Sequence, residues 1–219
     1  REAQAHDVRG YGGHFCPSPH QTEQGQGTTL LTGLELPATV EGKLYGVPTL
    51  AEDRAIVYNK KLWAAAGVTE VPKTYEALTA DLDKIKAANA ASDFSAFYLP
   101  CEYWYAAMQW VWDAGGDIAK LENGKWTAGL ASAEAQKGLN DFKTFQNTYS
   151  SAASRSVDIH KPEHTQIFAD GKTATILGIP SDLPTTNAPN PKTTATERST
   201  DPFPDKRGTT HAPHSEPPP

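Results

Sequence analysis

An α/β fold with a largely parallel sheet is what residues 29–180 of this 219-residue chain predict, on three observations. Short β-branched and apolar runs alternate with segments of helical period. Capping residues and glycines punctuate those helices at both ends. The flanking stretches differ so much in composition that only the middle can bury a core. Residues 181–219 hold nine of the 17 prolines and five hydrophobic residues, Leu183, Ala188, Ala195, Phe203 and Ala212. Such a segment cannot offset its chain entropy by burial, so disorder is expected there and across the Gly-, His- and Gln-rich residues 1–28.

Taken in order, "KLYGVP" at 43–48 and "RAIVYN" at 54–59 read as strands. Lys60 to Ala66 reads as a short helix closed by Gly67. Thr74 is placed to cap the next helix, where Tyr75, Leu78, Leu82 and Ile85 recur on one face. "SAFYLP" at 95–100 predicts a strand, and 102–114 a helix ended by Gly115-Gly116. Asn123-Gly124 marks a tight turn before "KWTAG". Ser132 caps a helix with Ala135, Leu139, Phe142 and Phe145 on one side. A last helix stops at Asp170-Gly171, and "TATILG" at 173–178 predicts a buried strand.

The totals exclude several functions. A net charge of −6 offers no electrostatic case for nucleic acid or an anionic membrane. No apolar run approaches the roughly 20 residues that span a bilayer. Arg1 is followed by no basic-then-apolar pattern, so no signal peptide is expected. Cys16 and Cys101 allow at most one disulfide and leave the redox compartment open. "ADGKTAT" at 169–175 lacks the first glycine of a phosphate loop, so it reads as a helix stop. His14, Cys16 and His20 lack a fourth ligand, and neither a metal nor a cofactor is expected. Glu52 and Asp53 are neighbours on an extended segment and face opposite ways, while Glu102 and Asp113 are eleven apart. No carboxylate pair therefore suits glycoside hydrolysis, and no catalytic residue is assigned.

"CEYWYAAMQWVWDAGG" at 101–116 carries the candidate site. Its apolar residues point in nearly every helical direction, so Trp110 and Trp112 are expected in the core. Glu102, Tyr103, Trp104 and Tyr105 instead occupy a strand-to-helix junction, where open α/β sheets place ligands. Flat rings beside a carboxylate suit a sugar, whose C–H face stacks while its hydroxyls donate.

The blocks "EGKLYGVP", "EDRAIVYNKKLWAAAGVTEVPKTYEALTADLDKIK", "EYWYAAMQWVWDAGGD", "ENGKWTAGLASAEAQKGLNDFKTFQ" and "FADGKTATILGIP" together resemble, over about 29–180, the extracellular solute-binding proteins of sugar ABC transporters, the maltose-binding-protein group. The resemblance implies a periplasmic-binding-protein-like type II fold, two α/β lobes with sugar between them, and binding without chemistry. It implies a monomer outside the cytoplasm, in the periplasm or as a surface lipoprotein, whose partners are a sugar or oligosaccharide and a membrane permease. Residues 29–50 would end the amino-terminal lobe, a hinge would fall near 49–56, and 51–180 would form the carboxy-terminal lobe. Glu52, Asp53 and Arg54 match polar ligand positions at the hinge, and Tyr103, Trp104 and Tyr105 match the stacking segment. The alternative for Arg54 is an ion pair with Glu52 or Asp53. The alternative for the whole chain is a carbohydrate-active enzyme fragment using Glu102. Because 1–28 and 181–219 depart from the pattern, the chain is expected to be a truncated copy with impaired binding.

Overall fold

The computed structural model describes residues 39–40, 43–46, 54–179 and 198–202. They fall in two compact units, one including the chain up to Glu52 and one spanning Asp53–Thr210. In the first, β1 (Thr39–Val40) pairs antiparallel with β2 (Lys43–Leu44). The strand expected over 43–48 therefore extends only two residues, Tyr45 and Gly46 lying outside it and 47–48 outside the described residues.

The second unit runs β3 (Ala55–Asn59), α1 (Lys60–Ala65), α2 (Tyr75–Ala88), α3 (Trp104–Asp113), β4 (Ala119–Glu122), β5 (Lys125–Ala128), α4 (Ala133–Tyr149), a 3-10 turn (Ala152–Ser156), α5 (His164–Ala169), β6 (Thr175–Gly178) and β7 (Arg198–Pro202). β3 is central and antiparallel to both β6 and β7. This corrects the largely parallel sheet: among the described residues, parallel pairing is confined to the single bridges Ser95–Thr173 and Tyr98–Ile176. One helix between two strands returns the chain parallel. Five helices and a hairpin separate β3 from β6, so the alternation no longer dictates direction. Within 181–219 the described residues are those of β7, which pairs with β3. An open edge of β3 offers backbone donors and acceptors to any extended segment, and that pairing needs no apolar side chains.

Segment 95–100 is not a regular strand either, because its amides bond alternately to two sides. Those of Phe97 and Cys101 donate to the Tyr149 and Ser154 carbonyls, and that of Leu99 to Ser150 Oγ. Those of Ser95 and Tyr98 donate to Lys172 and Thr175 carbonyls. The segment is thus stitched between β6 and the chain after α4, and this fixes where residues 102–105 emerge.

The caps form as the sequence predicts. Thr74 Oγ1 accepts from the Ala77 amide (3.1 Å) and Ser132 Oγ from the Ala135 amide (3.2 Å). Asn59, the last residue of β3, caps α1 with Oδ1 accepting from the Lys61 and Leu62 amides. Leu78, Leu82 and Ile85 are fully buried and pack in one core with Trp110, Phe142, Phe145 and Tyr149. A second cluster of Val57, Tyr98, Phe168 and Ile176 contains the Tyr98 hydroxyl, which has no hydrogen-bond partner among the described residues.

Trp110 is core as expected, but Trp112 is 39% exposed. They are two positions apart, about 200° around a helix, so one core face cannot take both. Asn123 and Gly124 both have positive φ (50° and 74°), the turn that links β4 to β5. β4 lacked a sequence signal, being short and half charged.

Tyr149 sits under α2, its hydroxyl donating weakly to the Thr79 carbonyl (3.4 Å). Burial, and secondarily the negative charge of Asp83, pushes its pKa up to about 12. The fold favours the neutral phenol, so its contribution is complete below the unfolded pKa near 10 and is lost as pH rises toward 12. Melting Tyr149→Phe beside the parent from pH 8 to 12 is expected to show a shallower alkaline decline in the variant. Parallel curves would contradict it.

Candidate functional site

The site is built where two chain segments meet. Arg54 immediately precedes β3, and residues 102–105 lead from the stitched segment into α3. The Tyr103 amide donates to the Pro100 carbonyl, closing a turn over 100–103, and the Glu102 amide donates to the Val157 carbonyl. α3 accordingly starts at Trp104, two residues later than expected.

This turn sorts the rings. Tyr103 is 4% exposed, whereas Trp104 and Tyr105 are 50% and 42% exposed. Arg54 Nε donates to Tyr103 Oη at 2.9 Å. Its guanidinium carbon lies 4.2 Å from the Tyr105 ring centroid and 5.6 Å from that of Tyr103. Tyr105 in turn stacks on Trp104, with centroids 3.6 Å apart and planes 28° from parallel. Arg54, Tyr105 and Trp104 therefore form a three-layer stack anchored by buried Tyr103. A flat cation on a ring face is electrostatically attracted, and burial of the anchor strengthens it.

Four of the seven residues singled out in the sequence, Arg54, Tyr103, Trp104 and Tyr105, come together. Glu102 is exposed and lines a groove with Trp104 on the flank of α3. Glu52 and Asp53 lie outside the described residues, as do His14, Cys16 and His20. Among the described residues no three His, Cys, Asp or Glu side chains cluster to hold a metal. No described helix is long and apolar enough to cross a membrane. "ADGKTAT" is the end of α5, with Gly171 at φ 72° as the stop.

Sequence reasoning missed the groove itself, of about 530 Å³ between α3 and α4. Its signal was present in α4: Leu139, Phe142, Lys143 and Gln146 follow the i, i+3, i+4, i+7 stripe that faces one neighbour. Its only partly apolar composition hid it.

With this geometry in place, comparison with known proteins is informative. Residues 18–210 match the bacterial extracellular solute-binding proteins, and the chain belongs to that family. The match runs past residues 29 and 180, the limits of the sequence resemblance. Over 165 residues the chain is 34% identical to the diacetylchitobiose binding protein DasA of Streptomyces coelicolor, covering 75% of this chain and 38% of DasA. Its fold is similar to that of the GacH receptor of Streptomyces glaucescens, whose structures include an acarbose complex (TM-score 0.68, 21% identity, 91% of this chain and 49% of that one). It is also similar to an ABC transporter solute-binding protein of Thermotoga lettingae bound with α-D-tagatose (TM-score 0.69, 21% identity, 90% and 50%). The fold is thus of the periplasmic-binding-protein-like type II class. The chain spans between about two-fifths and half the length of these proteins.

Proposed function

We propose that the chain binds a sugar or oligosaccharide, without chemistry, as part of the extracytoplasmic receptor of an ABC importer. The stack of Arg54, Tyr105 and Trp104 carries this reading: it holds a half-exposed indole rigid at low entropic cost. Rigid aromatic faces match the C–H face of a pyranose. DasA, 34% identical, is named for a disaccharide. In this reading 29–50 ends the amino-terminal lobe, 51–180 forms the carboxy-terminal lobe, and Glu52 and Asp53 join Arg54 at the hinge. Closure of lobes on the sugar would present the docking surface to a membrane permease.

Binding rather than hydrolysis is supported by the surroundings of Glu102. Its groove is shared with Lys143 and Arg155 and with no second carboxylate among the described lining residues. A glycosidase needs two carboxyls about 5–9.5 Å apart.

Saturation-transfer NMR, which reads weak binding, tests the proposal with N,N′-diacetylchitobiose, acarbose and tagatose. At least one is expected to receive saturation on its ring C–H protons, and Trp104→Ala to weaken that binding about tenfold, or ~1.4 kcal/mol. Absence of transfer from a broad sugar panel would defeat the sugar assignment. Turnover of chromogenic glycosides abolished by Glu102→Gln would replace binding with catalysis.

A further inference from the structure

The groove between α3 and α4 is not explained by the aromatic stack. Its floor is apolar: Ala107 and Met108 on α3 and Leu139 and Phe142 on α4. At about 530 Å³ it lies within the range of small-molecule sites, about 300–1,000 Å³.

Its rim is charged in one sense more than the other. Lys143 of α4 and Arg155 of the 3-10 turn line it, opposed by Glu102 alone. Neighbouring lysines are engaged: Lys137 pairs with Asp141 (2.9 Å), Lys84 with Asp81 (2.8 Å), and Lys86 donates to the Thr148 carbonyl (2.7 Å). Lys143 and Arg155 form no ion pair among the described residues. Two cations left over at the mouth of an apolar slot complement a ligand that is greasy along its body and anionic at its end.

We propose that this groove is a second binding site, for a small anionic amphiphile. The apolar body lies on the Ala107, Met108, Leu139 and Phe142 floor, and a carboxylate, sulfonate or phosphate meets Lys143 and Arg155. Trp104 lines this groove as well as stacking on Tyr105, whereas Arg54 and Tyr105 are not among its lining residues, so an occupant touches the same indole as the stack while leaving those two free.

The probe is 1-naphthoate, with 1-naphthalenemethanol as its neutral counterpart, titrated by calorimetry into the 219-residue chain. Naphthoate is expected to bind at least tenfold more tightly than the alcohol. Lys143→Glu with Arg155→Glu is expected to erase that preference and leave the alcohol unchanged within twofold. Both side chains are exposed, so the fold should tolerate the reversal; an unchanged melting temperature verifies it. Lys120→Glu with Lys125→Glu on the β4–β5 hairpin changes net charge equally and is expected to leave naphthoate binding intact. Equal affinities for the two probes, no measurable naphthoate binding, or the same loss from the hairpin pair would each overturn the proposal.

Discussion

Gly138→Ala is expected to destabilise the protein by about 2 kcal/mol, although alanine is the better helix former. The propensity gain at a helix interior is about 1 kcal/mol in favour of alanine. Against it stands the contact of α4 with α3. A Cβ at Gly138 would fall 2.6 Å from Val111 Cα and 2.7 Å from the Trp110 carbonyl carbon, with the Trp110 oxygen closer still. All three are backbone atoms in the C-terminal half of α3, so no side chain can swing away. Relief requires the helices to part, which loosens Phe142 and Phe145 against Trp110, whose rings now meet at 5.4 Å centroid separation. The approach is continuous, since a Cβ added to Gly116, just beyond α3, would likewise fall 2.6 Å from the Cα of buried Ala135. For a chain this size, the melting temperature should fall by about 4–8 °C. Asn140→Ala, two residues on and exposed, should instead raise it slightly. Equal small gains at both positions would show that the two helices do not touch through Gly138.

Those helices show what the sequence could and could not disclose. Local chemistry was legible: Thr74 and Ser132 cap where an oxygen can reach an orphan amide, and Leu78, Leu82 and Ile85 repeat at the helical period. Strand direction was not, because it depends on how many elements intervene and which edge is free, as β6 and β7 on either side of β3 illustrate. Gly138 carries the same limit, since a glycine inside a helix signals a close approach without naming the partner. In the site, the ring-rich turn was legible as a set of candidates. Its division was not: only the turn over 100–103 decides that Tyr103 goes inward while Trp104 and Tyr105 stay half-exposed. Arg54 was found through the resemblance, as one of the polar positions matched at the hinge. Its partners Tyr103 and Tyr105, 49 and 51 residues away, have no sequence signature.

Arg54→Lys is expected to weaken oligosaccharide binding about as much as Arg54→Leu, on the order of tenfold. If Arg54 served the ligand only through positive charge, lysine would preserve most of the affinity. The geometry argues otherwise. The guanidinium lies 4.2 Å from the Tyr105 centroid and at once donates through Nε to Tyr103, 2.9 Å away. An ammonium is compact and strongly hydrated, and it cannot lie flat on one ring while its stem donates to the next. Losing the stack frees Tyr105, and through the 3.6 Å contact frees Trp104, so the sugar must then order both rings itself. Immobilising each costs about 0.5–1.5 kcal/mol. Tyr105→Ala should therefore share its loss with Arg54→Lys. The double variant is expected to bind only slightly worse than either single one, with a coupling of about 1 kcal/mol. Calorimetric titration of the four proteins with the best sugar of the panel measures this. Additive losses would mean that Arg54 and Tyr105 meet the ligand separately, and the layered stack would then have no part in recognition.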